Sequence, residues 1–313
     1  MNGAAALLLY AFVVLAAGAP LLRQLTADGA APRLAIAAWL TATASVIGSV
    51  TAAMCLTVIE ATGHWAHPDK LLATCLDRLL AILLGHGDLI SEAAVTAAVT
   101  TAILLLAWMI LRLGRSMRRM RNQTFAHAEA VRLVGKSAAD DVVVVDTDDR
   151  AAYCVAGRPP AIVVTTAVLS ALDGRQLAAV LAHERAHLDG RHAPFIAVLR
   201  SLAALFPYFA LFTQGAASVA ALLEMCADDV AARRHGRGPV LSGLLTLAGA
   251  NLPTALGAAN VAVVARAYRL AGHRGVLGQL CTRLGLLSTV WVFAAVPIGI
   301  AVLAYTGVLR CAA

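Results

Sequence analysis

Leu181-Ala-His-Glu-Arg-Ala-His-Leu188, set in an apolar stretch that also holds Leu177 and Val180, decides how the rest of the chain is read. His183 and His187 are four positions apart, so on a helix they share a face about one turn apart and can grip one Zn²⁺. Glu184 projects toward the same ion and is the candidate catalytic residue, a base able to take a proton from water there. Asp173-Gly-Arg-Gln176 reads as a capping box that starts this helix, and Gly190 as its stop.

Upstream, Val142 to Val145, Ala152 to Val155 and Ala161 to Thr165 are short, β-branched and bounded by Asp, Gly and Pro, which predicts strands. A small sheet leading into a metal-binding helix suits a zincin. In that arrangement an exposed edge strand holds an extended peptide beside the metal, and Ile162, Val163, Val164 and Thr165 are the predicted edge.

Two imidazoles do not complete such a site; a third protein ligand is needed, with one position left for water. His-x-x-Gly-x-x-His would mark a metzincin, and Gly190 is in place, but His192 falls one residue short. The better candidate is Glu224 on a second predicted helix, with Asp228 four residues on. Glu224 then reaches the metal while Asp228 hydrogen-bonds a ligand imidazole. The competing reading is a solvated helix face, which a chain with only 18 acidic residues in 313 makes the weaker one.

Composition places this chemistry at a membrane. Sixty per cent of residues are hydrophobic, 14% are charged and the mean hydropathy is +0.78, outside the range of ordinary soluble domains. Apolar runs at 4–22, 34–59, 93–113 and 284–309 are each long enough to span a bilayer. The first is read as a span rather than a cleaved signal, because Arg23 follows it and no basic residue precedes it. The pI near 9.4 comes mostly from arginines clustered at the ends of apolar runs. These act as topology signals, so no direct nucleic-acid binding is expected.

Sidedness follows from the same arginines. Residues 23–33 carry Arg23 and Arg33, residues 60–92 are acid-rich, and Arg112, Arg115, Arg118, Arg119 and Arg121 follow the third run. The positive-inside rule then puts the N-terminus outside, 60–92 outside, the segment after span three in the cytoplasm and the C-terminus outside. The expected fold is mainly α and multi-pass. Residues 1–114 hold three spans and an external loop, 115–283 a cytoplasmic gluzincin-like α+β zinc domain between spans three and four, and 284–313 the last span. Phe195 to Leu223 is too short for two crossings and is read as a helical hairpin. Val240 to Ala265 is read as a core or membrane-surface helix, since a crossing would put Arg266, Arg269, Arg274 and Arg283 outside. In the external loop, Leu72, Cys75, Leu76, Leu79, Leu80, Leu83 and Leu84 predict an amphipathic helix, and a Cys55–Cys75 disulfide is compatible with that side.

The order of parts resembles the BlaR/MecR family of membrane zinc peptidases in its shorter actinobacterial form. The resemblance rests on Leu181-Ala-His-Glu-Arg-Ala-His-Leu188, the Phe206-Pro207 break and Glu224-Met-Cys-Ala-Asp228, with Cys226 beside the metal residue. It implies one Zn²⁺ per chain and a regulatory endopeptidase in the cell membrane. An external signal passes through the spans, and the inner domain cleaves a cytoplasmic repressor of the BlaI/MecI winged-helix type. Arg266 and Arg269 resemble the family's late Arg-x-x-Arg-Leu element and are candidates to steady an oxyanion or contact substrate. The chain departs from the antibiotic-sensing members: it reaches Ala313 without an external penicillin-binding domain, and neither Lys70 nor Lys136 has Ser three residues before it. Two other readings share the ligand pattern. One is a quality-control or processing protease of the HtpX or CAAX kind; the other is a non-catalytic membrane signalling protein whose zinc site is structural and closed by a fourth ligand such as His192.

Overall fold

A computed structural model describes residues 2–62, 89–139, 141–249, 258–272 and 276–306. The predicted external helix and the Cys55–Cys75 pairing lie outside the described residues. The elements run α1 (Asn2–Thr26), α2 (Pro32–Thr62), α3 (Leu89–Val134), β1 (Lys136–Ala139), β2 (Val142–Val145), β3 (Ala152–Val155), β4 (Ala161–Thr165), α4 (Thr166–Ala171), α5 (Gly174–Asp189), α6 (His192–Leu205), α7 (Ala210–His235), α8 (Arg237–Gly249), α9 (Ala258–Ala271) and α10 (Val276–Tyr305). Two compact units emerge, one of Met1–Leu21, Ala38–Gly114 and Ser288–Ala313, the other of Leu22–Ala37 and Arg115–Leu287.

In the first unit, small residues let helices approach closely. Ala4, Leu7 and Ala53 are buried together with Ile300 packed against them, and a Cβ on Gly3 would lie 2.4 Å from that of Ala304. Tyr10 donates to Ser45 Oγ and to the Phe293 carbonyl, both at 3.1 Å. Leu8, Leu9, Phe12 and Val13 on α1, and Trp291, Val292 and Ile298 on α10, face outward, as lipid-facing positions do.

Among the described residues, four helices are long and apolar enough to cross a membrane: Gly3–Thr26, Pro32–Thr57, Ala210–His235 and Leu277–Tyr305. Three of these match the expected runs at 4–22, 34–59 and 284–309, and the fourth, Ala210–His235, falls partly in the stretch expected as a hairpin. Residues 93–113 lie within α3, which runs on through the arginine cluster to Val134. Arginine, methionine and alanine are good helix formers, so the cluster ends the apolar stretch without ending the helix. Helix α7 buries much of its apolar surface: Leu211, Phe212, Val219, Leu222 and Ala227 are all buried.

The predicted hairpin at 195–223 is α6 packed on α7, broken between Phe206 and Phe209. Phe206 and Phe212 rings sit 4.8 Å apart behind an exposed Tyr208. The single helix expected over 240–265 is instead two, α8 ending at Gly249 and α9 starting at Ala258.

The sheet order is β1-β2-β4-β3, with β2 and β4 parallel and both outer pairs antiparallel. Strand β1 has no β-branched run and is imposed by pairing with β2. The expectation of an exposed edge at Ile162 to Thr165 is corrected here: β4 is an inner strand, buried at all five positions. Its continuous apolar run is what a strand covered on both faces requires. The edge facing the His-bearing helix is β3. In the antiparallel ladder Thr165 N–H donates to the Ala151 carbonyl. By alternation, the backbone groups of Ala152 and Cys154 point away from β4.

Helix α5 is clamped from two sides. Val180, with Leu177, Leu181 and Leu188 beside it, packs on Ile162 and Val164. On the opposite side Ala179 and Ala182 meet Ala231 of α7, Val240 of α8 and Leu270 of α9. The alanines keep that approach short. Ile162 is fully buried under the helix. Ile162→Ala should therefore lower the unfolding free energy of the sheet-containing unit by about 2–5 kcal/mol, measured by denaturant melts in detergent. An unchanged midpoint would mean the strand is not core.

Candidate metal centre

Helix α5 starts as its sequence directs. Asp173 accepts from the backbone N–H groups of Arg175 and Gln176 at 2.8 Å, and Gln176 Oε1 accepts from Asp173 N–H at 3.0 Å, closing the capping box. About two turns after the capping box, His183 and His187 emerge on the face toward α7. Arg185, on another face, grips the Asp141 carboxylate at 2.7 and 2.9 Å and ties the helix to the strand turn. That contact holds the Asp141 carboxyl below its usual range.

His183, His187 and Glu224 form one group, with ligand atoms within 4.8 Å of one another. The two Nε2 atoms are 3.1 Å apart, and Glu224 sets one carboxylate oxygen 3.4 Å from each. Two imidazole nitrogens and a carboxylate aimed at a common point can hold a divalent metal ion. The imidazole side chains are 12% and 11% exposed but Glu224 is 38% exposed, so the group opens to solvent on the carboxylate side.

Behind the group lies a layer of buried partners. Asp228 Oδ1 is 3.1 Å from His183 Nδ1, and Arg266 Nε and Nη2 donate to the Asp228 carboxylate at 2.8 and 2.7 Å. Arg266 Nη1 is also 3.1 Å from Glu224 Oε2. Burial works against a charge on His183, yet its contacts with Asp228 and Glu224 raise it to about 9. His192, weighed above as a third or fourth metal ligand, instead places Nδ1 2.8 Å from His187 Nδ1, and burial beside that ring lowers it to about 4.

Glu184 lines the same cleft as His183 and Glu224, beside Cys154 of β3. Burial raises the Glu184 carboxyl, and the two histidines oppose the shift. Burial, with Glu184 beside it, pushes the Cys154 thiol to about 12, so this cysteine stays a neutral thiol. Arg150, Ala152, Val180, His183, Glu184, Glu224, Leu244, Leu247, Val263 and Arg266 line a cleft of about 300 Å³.

The structure thus brings His183, Glu184, His187, Glu224, Asp228 and Arg266 together. It separates Arg269 and, as shown above, Ile162 to Thr165. The expectation that Arg269 steadies an oxyanion is corrected: its guanidinium binds both Asp229 carboxylate oxygens at 2.7 Å and the Gly29 carbonyl at 2.8 Å. Three residues beyond Arg266 is nearly a full turn, which carries Arg269 past the cleft to the next acidic residue of α7. Gly29 has φ +58, and a Cβ there would lie 2.3 Å from Met225 Sδ. A glycine lets this turn rest against the residue following Glu224. No signal in the sequence pairs Arg269 with Gly29; a second acid directly after Asp228 was the available hint.

Residues 118–233 match the model of Peptidase family M48, a stretch that contains His183, Glu184, His187, Glu224 and Asp228. No curated protein and no solved structure matches the chain. The matched family takes in both BlaR/MecR and HtpX-type proteases and consists of metalloenzymes. With a metal-competent His183–His187–Glu224 group inside the matched region, the chain carries a Peptidase M48 family domain.

Proposed function

We propose that the chain is a membrane-anchored zinc endopeptidase, with His183, His187 and Glu224 as ligands and Glu184 as general base. The observation that carries this reading is the convergence of those three donors in one cleft with the half-buried Glu184. Two imidazoles and one carboxylate form a ligand set suited to Zn²⁺. When bound, the ion supplies Lewis-acid polarisation of a peptide carbonyl and brings the pKa of water toward ~7.

The chain's own groups supply the rest. An extended peptide pairs antiparallel or parallel with the outward backbone of Ala152 and Cys154, which brings its scissile bond to Glu184. Glu184 takes the proton of the attacking water and passes it to the amine nitrogen as the C–N bond breaks, which releases a neutral amine and a carboxylic acid and returns Glu184 to its carboxylate. A carboxyl raised by burial is better matched to that second transfer than one at its ordinary value. Leu244, Leu247 and Val263 form an apolar wall for a substrate side chain. Arg266 has its guanidinium committed to Asp228 and Glu224, so it buttresses the ligands.

The biological reading is regulatory cleavage of a cytoplasmic winged-helix repressor in response to a signal carried by the membrane helices. Its support is the order of parts and the arginine distribution, which keep the peptidase domain between spans three and four and in the cytoplasm. In this reading residues 93–113 cross the bilayer and α7 does not, since α7 carries Glu224 and buries its apolar residues in the domain. A structural zinc site would need a fourth protein donor. His192 faces Nδ1 of His187, away from the Nε2 atoms, which counts against it in that role.

Glu184→Gln should retain bound zinc while peptide cleavage falls by ~10²–10⁴-fold; full activity would remove Glu184 from the mechanism. Ala152→Pro deletes one outward N–H at a sheet edge, where proline is tolerated. It should leave zinc content unchanged and raise KM more than it lowers kcat, and an unchanged KM would place the peptide elsewhere. Sequencing of new protein N-termini in cells, wild type against Glu184→Gln, should give a repressor fragment in wild type alone. Fragments of damaged membrane proteins instead would turn the reading to quality control.

A further inference from the structure

We propose that His192 is a positioning residue for the metal centre: it accepts the Nδ1 proton of His187 and so fixes the tautomer that aims His187 Nε2 at the ion. The inference rests on the reading of His183, His187 and Glu224 as metal ligands. His187 Nε2 faces His183 Nε2 at 3.1 Å and Glu224 Oε1 at 3.4 Å. A neutral imidazole that gives its Nε2 electron pair to a metal carries its proton on Nδ1. That Nδ1 is 2.8 Å from His192 Nδ1. Two ring nitrogens at that distance need one donor and one acceptor, so His192 Nδ1 is bare and its own proton is on Nε2. The rings are nearly perpendicular, at 89°, so the contact is nitrogen to nitrogen rather than a stack.

The backbone is shaped around this contact. Gly190 closes α5 with an ordinary right-handed φ of −77, so its lack of a side chain is not needed for conformation. It is needed for space: a Cβ there would lie 2.4 Å from His192 Nε2 and 2.6 Å from Cδ2. The left-handed step falls on Arg191, at φ 49 and ψ 40, a conformation disfavoured for a long side chain. Together these two residues turn the chain tightly enough to bring a buried His192 behind His187. His183 has the equivalent support from Asp228 at 3.1 Å. Each ligand imidazole therefore has a buried acceptor behind it, one a carboxylate and one a second imidazole.

The test is zinc affinity of the full-length chain in detergent, measured by competition with a chromophoric chelator. Wild type is compared with His192→Leu and His192→Asn, and circular dichroism checks the fold of each. Asparagine places an acceptor oxygen where Nδ1 stands; leucine fills the space and accepts nothing. His192→Leu should bind zinc about 10–100-fold more weakly, and His192→Asn within about threefold of wild type. Unchanged affinity in the leucine variant overturns the proposal, as does a tenfold or greater loss in the asparagine variant. Should the leucine variant not fold, the asparagine result decides alone by the same limits. Wild type that binds no zinc overturns the metal reading and this proposal together, whereas variants that differ as expected support both.

Discussion

Asp228 is 1% exposed, and the site is organised by the need to satisfy that carboxylate. A charge removed from water at that depth is tolerated only when its lone pairs are taken by matched donors. Here they come from two other helices: His183 on α5, and the planar fork of Arg266 on α9. Arginine suits the second task because its two parallel N–H groups match two carboxylate oxygens, which a lysine cannot do. Three helices are thereby held in one relative placement, and Glu224, one turn before Asp228, is delivered to the imidazole pair. The ligand group is thus a consequence of a buried ion-pair network as much as of the His-Glu-x-x-His spacing.

Packing around α5 makes that network reachable. Ala179 and Ala182 expose almost no bulk toward α7, so the helix axes approach closely enough for side chains as short as aspartate to reach an imidazole. Larger residues at these positions would separate α5 from α7 and lengthen both the Asp228 and the Glu224 contacts. The opposite face carries Leu177, Val180, Leu181 and Leu188, which fill the space above the sheet. The helix is amphipathic in size rather than in polarity, large toward the strands and small toward its neighbouring helices.

Much of this was legible in the sequence because local rules and tertiary structure agree there. The capping box at Asp173, the β-branched strands and the i, i+4 spacings of His183 with His187 and of Glu224 with Asp228 all follow from short-range geometry. What escaped depended on partners distant in sequence. Strand β1, Lys-Ser-Ala-Ala, has no strand signature and exists through its pairing with β2. The inner position of β4 follows from a parallel crossover that strand pattern alone does not reveal; its unbroken apolar run fits burial on two sides better than an edge. Much of the apolar surface of α7 is buried, and length with composition cannot separate a core helix from a membrane span. His192 looked like a misplaced third ligand because motif spacing counts residues and does not count turns.

Arg266 and Arg269 show how one helix can hold two different structures. Each lies on α9, less than one turn from the other, and each spends its guanidinium on an acidic residue of α7. Arg266 reaches inward to Asp228 and Glu224. Arg269 reaches Asp229 and then the carbonyl of Gly29, in the turn between α1 and α2. That turn in turn rests on Met225, directly after Glu224, at a position where only glycine combines a positive φ with room for the sulfur. A shift of α9 along its axis would disturb both arginine contacts at once, because the helix backbone fixes their separation. The segment joining the first two helices is therefore tied, through Arg269 and Gly29, to the same helix α7 that carries Glu224.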